Sequence, residues 1–421
     1  MSGPSTHLVV LQHGLWGKPE NLDYLQENLV RNSKEMSHLS THFLISTVNF
    51  GLTLDGIDMC GERLVDQIKE EIQILEKDPE CKVTYLSLVG YSLGGLITRY
   101  ATGKLEFEGA FAPGGLIPLN FVTISTPHLG VFKTKSGFFR KAFNSFVPKM
   151  ASWSGHQLMY MDHHAWGRPL LVNMSDPQLP FMKGLKKFSK LILLANVHFD
   201  SSVPYWSGAI SLEDPYLKHQ SYFGRSKSMP AAEDALAYPS IRRPCTDEEA
   251  AGYDEEERDR IAMMGGGFRT AVLFLFLIWV PLLSYGLVRW SAKGKSHYKS
   301  LIGKRPDFTW LLNDPATALT PIHLPLHVKT AETSPRPSST RSSSRESSQD
   351  DLVKSGLCGG SAKGGILEKQ QWMEKHLNEL PWLKIDVDCR YFHSHAGIVV
   401  RAPGFVVRDQ IQYMTEHMSW K

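Results

Sequence analysis

Cysteine is scarce. The five in 421 residues (Cys60, Cys81, Cys245, Cys358 and Cys389) are odd in number, far apart and never spaced as CxxC. That pattern excludes a disulfide framework, suggests no zinc site, and is the usage of a reducing compartment. An excess of one charge is missing too: a formal net charge of +3 leaves no broad basic field, so gripping nucleic acid phosphates is excluded as the main task. Neither GxGxxG nor GxxxxGK[ST] occurs, which removes the nucleotide-binding readings. Residues 1–6 are polar and run straight into a short apolar strand, without the basic start and longer apolar stretch of a secretory leader; the expectation is a cytosolic catalytic part. Long apolar runs are limited to one, at 271–288. What remains is a globular composition, 42% hydrophobic and 21% charged, which excludes collagen-like, wholly disordered and polytopic membrane classes. The length suits two or three domains of roughly 150 residues, or one large domain with insertions.

From the start to about residue 204, apolar strand-like runs (8–12, 43–48, 83–89, 120–124 and 191–196) alternate with helical patterns (19–30, 57–76 and 93–102). That alternation predicts an α/β fold, a mostly parallel sheet with helices on both faces. After residue 205 the texture turns polar, with an acidic cluster at 247–259, then the apolar segment 271–288, then a basic run that includes Arg289, Lys293, Lys295 and Lys299. Residues 333–350 (TSPRPSSTRSSSRESSQD) are Ser-rich and of low complexity, a composition that cannot bury a core. Folded patterning resumes at about 366, with a helix at 366–380, a strand at 383–389, a histidine loop and a last helix at 406–417. The expected organisation is therefore a core at 1–212, an insertion at 213–365 whose linker is 333–365, and the rest of the core at 366–421.

Directly after the strand ending at Val89 stands Gly90-Tyr91-Ser92-Leu93-Gly94-Gly95, a GxSxG motif between strand and helix. Small residues are needed there because the turn is tight and its serine hydroxyl must stand clear of the sheet, so Ser92 is the candidate nucleophile. A serine that only caps a helix is the bland reading. A serine hydroxyl needs a base, and the base a carboxylate to fix its tautomer; in this fold they follow in the order Ser, Asp or Glu, His. Asp200, in VHFDSSVP beyond the strand at 191–196, is the candidate acid, whereas Asp162, Asp176 and Asp214 follow weaker strand signals or none. His395, in RYFHSHAGI after the last strand, is the candidate base, with His393 in reserve. The loop His13-Gly14-Leu15-Trp16-Gly17 after the first strand offers the N–H of Leu15, which with that of Leu93 would make an oxyanion hole. His13, Trp16 and Tyr91 are taken as substrate-binding residues.

Together these motifs resemble the lipase-like branch of the α/β-hydrolases, specifically the serine-esterase family that includes fungal lipid-droplet phospholipases and related monoacylglycerol lipases. The resemblance covers 8–212 and 383–401 and includes Ile124-Ser125-Thr126-Pro127-His128-Leu129-Gly130, FDSSVP and HAGIVVR. It implies catalytic roles for Ser92, Asp200 and His395, an esterase acting on acyl lipids, and a site-lining place for His128. The family often carries asparagine and aspartate together where this chain has HFD.

The segment 271–288 would be about 27 Å long as a helix, close to the roughly 30 Å of a bilayer core. A single crossing would separate Ser92 and Asp200 from His395, and Pro281 divides the run, so a hairpin or an interfacial anchor is expected. Trp290 and the basic cluster suit an interface. Phe139, Phe143 and Phe146 fall on one helical stripe that could form a lid or simply enter the core. The expected function is a serine lipase or phospholipase hydrolysing glycerolipid esters on the cytosolic face of a membrane or lipid droplet, the endoplasmic reticulum being one candidate membrane. No metal or organic cofactor, nucleic acid or specific protein partner is implied. An acyltransferase using the same three residues, or an inactive hydrolase fold serving as a membrane adaptor, is the alternative.

Overall fold

A computed structural model describes residues 5–36, 39–134, 138–198, 200, 202–216, 237–243, 294, 296–301, 308–312, 360–389, 393–401, 404 and 407–421. Seven strands form one sheet: β1 (Ser5–Gln12), β2 (Ser40–Ile45), β3 (Lys82–Tyr91), β4 (Ile117–Ile124), β5 (Lys190–Asn196), β6 (Ile241–Arg242) and β7 (Trp382–Val387). Their order is β2-β1-β3-β4-β5-β7-β6, and every pairing is parallel except that of β6 with β7. The expected α/β-hydrolase architecture is thus the observed one. The antiparallel edge strand β6 was not anticipated: two residues inside the presumed insertion are too few to leave a period.

A sheet covered on both faces buries successive residues of a strand on opposite sides, so its strands read as unbroken apolar runs. In β1, Leu8 and Val10 join the cluster under helices α2 (Ile57–Leu75) and α3 (Leu93–Phe107), while Val9 and Leu11 join the one under α1 (Asp23–Met36) and the helix Asp409–His417. Helices α4 (Phe138–Met150), α5 (Ser152–Leu158), α6 (Leu170–Asn173), α7 (Pro180–Lys186) and α8 (Tyr205–Gly208) complete the part before β6. The sequence reading missed α5 to α8 as core elements, each of them under two turns, whereas α4 contains the expected phenylalanine stripe. Phe143 packs against the core, the plainer of the two readings of that stripe, and the side chain of Phe139 lies outside the described residues.

The helix Gly360–Leu377 begins before the expected start and puts Met373 and Leu377 into the core. Part of the presumed insertion also packs on the core: Leu301 and Leu311 are buried. The apolar segment 271–288 and the Ser-rich linker lie outside the described residues. Among the described residues no helix is long and apolar enough to cross a membrane.

Several histidines are held as neutral rings, His7 and His128 fully buried and His156 partly so. His7 contacts the Ser87 hydroxyl at 2.7 Å, and burial holds its pKa down to about 4; burial does the same to His156, also about 4, and pushes His128 well below the ordinary range. Their folded-state pKa values lie below those of the unfolded chain, so between pH 6.5 and 4 the unfolded state binds more protons and stability must fall with pH. The His7 shift alone is worth about 3 kcal/mol once the pH is below 4. The urea midpoint should therefore drop steadily from pH 7 to pH 5, and the drop should be smaller in His7→Gln. A midpoint constant over that range would contradict the burial of neutral imidazoles.

Candidate active site

The carboxyl ends of the parallel strands converge where the chain leaves the sheet, and the candidate residues come from those exits. β3 ends at Tyr91, and Ser92 follows with φ 54° and ψ −126°, after which α3 starts at once. A side chain in this backbone region is strained, and the surroundings hold it there. The Ser92 N–H donates to the Ile124 carbonyl at 2.8 Å. A Cβ on Gly94 would overlap the Gln12 carbonyl oxygen, and one on Gly95 would overlap the Thr126 hydroxyl. The glycines therefore let the turn lie directly against the ends of β1 and β4.

Ser92 is nearly buried, and its Oγ lies 2.9 Å from His395 Nε2. The other ring nitrogen, Nδ1, is 2.7 Å from Asp200 Oδ2. Three residues spread over some 300 positions thus form one hydrogen-bonded line. His393 takes no part: its side chain is exposed, and its carbonyl accepts from the N–H groups of Ala396 and Gly397 to start the short helix Ser394–Gly397. Asp162, Asp176 and Asp214 do structural work elsewhere. Asp162 accepts the Leu170 N–H, Asp176 pairs with Arg168 at 2.8 Å, and Asp214 accepts the Tyr216 N–H.

Asp200 is almost fully enclosed, and burial alone would raise its pKa. The imidazole of His395, the Ser125 hydroxyl at 2.6 Å and the Val203 N–H outweigh that cost and hold the carboxyl below its ordinary value. Asn196 Nδ2 at 3.1 Å and the Ser202 N–H are further donors. The acid is therefore a carboxylate at neutral pH, able to hold His395 Nδ1 as the protonated nitrogen and leave Nε2 facing the serine.

Two positioning residues escaped the sequence reading. Asn196, the last residue of β5, donates to Ser125 Oγ, Asp200 Oδ2 and the Ser394 carbonyl, and so ties the acid to the histidine loop. Ser125, with φ 47° just past β4, carries the short bond to Asp200. The available signal was a buried amide closing the apolar run LILLAN.

The loop at 13–17 sits over the nucleophile: a Cβ on Gly14 would come 2.6 Å from Ser92 Cβ and 3.1 Å from its Oγ. Neither the Leu15 N–H nor the Leu93 N–H donates to a protein group among the described residues, as befits donors left for a ligand. Trp16 lies at the rim, half exposed, its N–H bonded to Thr53 Oγ1 at 2.9 Å. The other three residues expected to bind substrate are buried. His13 is fully buried with Nδ1 against the Gly14 carbonyl, and His128 is fully buried with Nε2 against Thr123 Oγ1, its ring 5.6 Å from that of Trp382. Tyr91 lies behind the base: its hydroxyl donates to the His395 carbonyl at 2.6 Å and its ring centroid is 5.1 Å from the imidazole. All three are packed against the walls of the site, by the Gly14 carbonyl, Thr123 and the His395 carbonyl respectively. No group of residues suited to a metal ion occurs among the described residues.

Residues 3–212 match the family model described as "Putative serine esterase (DUF676)". The chain is 31% identical over 243 residues to a Schizosaccharomyces pombe protein named "Putative lipase C4A8.10", covering 56% of this chain and 30% of that one. It is 28% identical over 233 residues to "Putative lipase ROG1" of Saccharomyces cerevisiae, covering 54% and 32%. The chain thus spans about a third of the length of these relatives. Among solved structures it is similar to the phospholipase PlaB of Legionella pneumophila (15% identity, TM-score 0.28, 48% of this chain and 41% of that one). A siderophore hydrolase, EstB of Aspergillus nidulans, is another (14% identity, TM-score 0.24, 47% and 58%).

The backbone at position 92 gives a test independent of any substrate. Ser92→Ala keeps the strained conformation, whereas Ser92→Gly removes the Cβ that makes it costly, so the glycine variant should be the more stable by about 1–3 kcal/mol. Thermal denaturation of the two variants checks this; equal or reversed stabilities would contradict the turn geometry.

Proposed function

We propose that this chain, whose residues 3–212 belong to the serine-esterase family just described, hydrolyses acyl esters of glycerolipids through Ser92, His395 and Asp200. The observation that carries the proposal is the unbroken line from Ser92 Oγ through both nitrogens of His395 to a carboxylate held ionised by its donors. The lipase names of the yeast relatives favour a lipid ester as substrate.

In this reading Ser92 Oγ attacks the ester carbonyl carbon while its proton passes to His395 Nε2. The negative charge that develops on the carbonyl oxygen is taken by the N–H groups of Leu15 and Leu93, donors fixed before the reaction begins. Collapse of the tetrahedral intermediate breaks the bond to the alcohol, which leaves with the proton from His395. Water, deprotonated by the same nitrogen, then attacks the acyl-Ser92 ester and releases the fatty acid. Asp200 stays ionised throughout and compensates the imidazolium. The adaptor alternative loses ground because a chain with no chemistry to perform has no use for a strained serine aligned on a paired histidine.

The substrate sits in a lipid surface, and we place the enzyme on the cytosolic face of a membrane or droplet. The segment 271–288 supplies the apolar anchor, and the bond between Ser92 and His395 requires the chain on either side of that segment to lie on one side of the membrane.

Monoacylglycerol and phospholipid presented in detergent micelles should both be tested for fatty acid release. His395→Ala and Asp200→Asn should each lower kcat by about 10³- to 10⁴-fold with little change in KM. Fatty acid that persists in His395→Ala would overturn the assignment. Addition of an alcohol acceptor should leave free fatty acid as the main product; a transferred acyl ester in its place would make the chain an acyltransferase.

A further inference from the structure

The loop between β2 and α2 is tightly folded yet presents apolar side chains to solvent. Three successive turns shape it, with Phe50 N–H donating to the Thr47 carbonyl, Leu52 N–H to Asn49 and Asp55 N–H to Leu52. Its backbone is thus satisfied, and the exposure of Phe50 (55%) and Leu52 (41%) is a feature of a built loop. Between them Gly51 has φ 74° and open space around its Cβ position, which marks the tip. Trp16, 48% exposed, joins the same patch through its bond to Thr53. Isolated exposed apolar residues are ordinary, but three large ones gathered on adjoining loops beside an active site are not.

A second, independent observation concerns where the apolar segment re-enters the fold. Gly294 and residues 296–301 clasp the back of this loop. His297 Nε2 bonds Asp55 Oδ1 at 2.7 Å, and the Tyr298 ring stacks 4.2 Å from His156 and 5.0 Å from Trp153. Gly294 lies so close to the Lys149 carbonyl that a Cβ there would overlap it. The helix beneath, α5, is itself bonded to the loop, with Ser154 Oγ donating to the Thr53 carbonyl at 2.7 Å and accepting the Gly56 N–H at 3.1 Å. Gly294 stands six positions after Val288, a path that even fully extended spans about 20 Å. The chain thus rejoins the described fold at this face a few residues after the apolar run, with Arg289 and Lys293 in the intervening sequence.

We infer that Phe50, Leu52 and Trp16 form a surface that enters a phospholipid layer, seating the Ser92 cleft on the lipid. This rests on the reading of the chain as a lipid esterase. The partner is a lipid surface because the patch adjoins the entry of an 18-residue apolar run (271–288) flanked by basic residues, which attract anionic headgroups. A second copy of the chain fits less well: three side chains do not approach the roughly 800 Å² that each partner of a stable dimer buries.

The test uses the full chain, vesicles of phosphatidylcholine with a minority of phosphatidylserine, and a soluble short-chain ester as a control. A dye sensitive to polarity is placed at Phe50→Cys in a chain with Cys81, Cys245 and Cys358 changed to serine. Its emission should shift to the blue when the protein binds vesicles. Hydrolysis of a lipid ester carried in the vesicles should fall about tenfold or more in the double variant Phe50→Asp, Leu52→Asp, with the soluble ester cut at the wild-type rate. If the dye keeps its aqueous emission on vesicle-bound protein, or the double variant matches wild type on vesicles, the inference is overturned. A vesicle-independent dimer that the double variant dissolves would also overturn it, in favour of a second copy. Should wild type leave the soluble ester intact while the dye still reports insertion, the esterase reading fails and the lipid-facing loop stands.

Discussion

Backbones cannot interpenetrate, and the turn after β3 is where that constraint governs the molecule. Ser92 can stand at the sheet's edge only because the chain reverses from strand to helix within one residue. The reversal is possible only because Gly94 and Gly95 let it rest on the end of β1 and on Thr126 beyond β4. The same close approach brings Gly14 over the serine. Ser92 and the loop at 13–17 are thus held by one packing arrangement, and a side chain added at Gly94, which would overlap the Gln12 carbonyl, would disturb both together.

Around this fixed point the polar groups are arranged to keep one proton in play. Enclosing Asp200 would by itself favour the neutral acid; the His395 ring, two side-chain donors and two backbone N–H groups reverse that preference. Asn196 bonds both the acid and the loop that carries the base, so the distance between Asp200 and His395 is set by the end of β5 as well as by their own contact. Tyr91 fixes that loop from the other side through the His395 carbonyl. A base that must reach across some 300 residues of sequence is held by bonds from the ends of two strands, β3 and β5, which is how a histidine on a short helix keeps the orientation that proton transfer requires.

The parallel core was legible because a strand buried on both faces leaves a continuous apolar run, as in LVVL and LILLA, and helices with a single buried face leave a period. Ser92 was legible because its turn demands glycines, and Asp200 and His395 because each follows a strand. The short helices from 152 to 208 were not, since one or two turns of helix leave no period to read. Asn196 and Ser125 were also hidden, because a residue that bonds another side chain carries no signature in its own neighbourhood. His128 and Tyr91 are marked by their motifs as belonging near the site, but their contacts with Thr123 and with the His395 carbonyl come from packing that no motif spells out.

The claim on which the account stands is that Ser92 is a nucleophile made reactive by His395. Reaction of the folded protein with a fluorophosphonate, followed by mass-spectrometric mapping of the adduct, tests it without knowledge of the lipid. The account predicts a single adduct on the peptide containing Ser92 in the wild type and none in His395→Ala. An adduct on a different serine, equal labelling of the His395→Ala protein, or no labelling of folded wild type would contradict it.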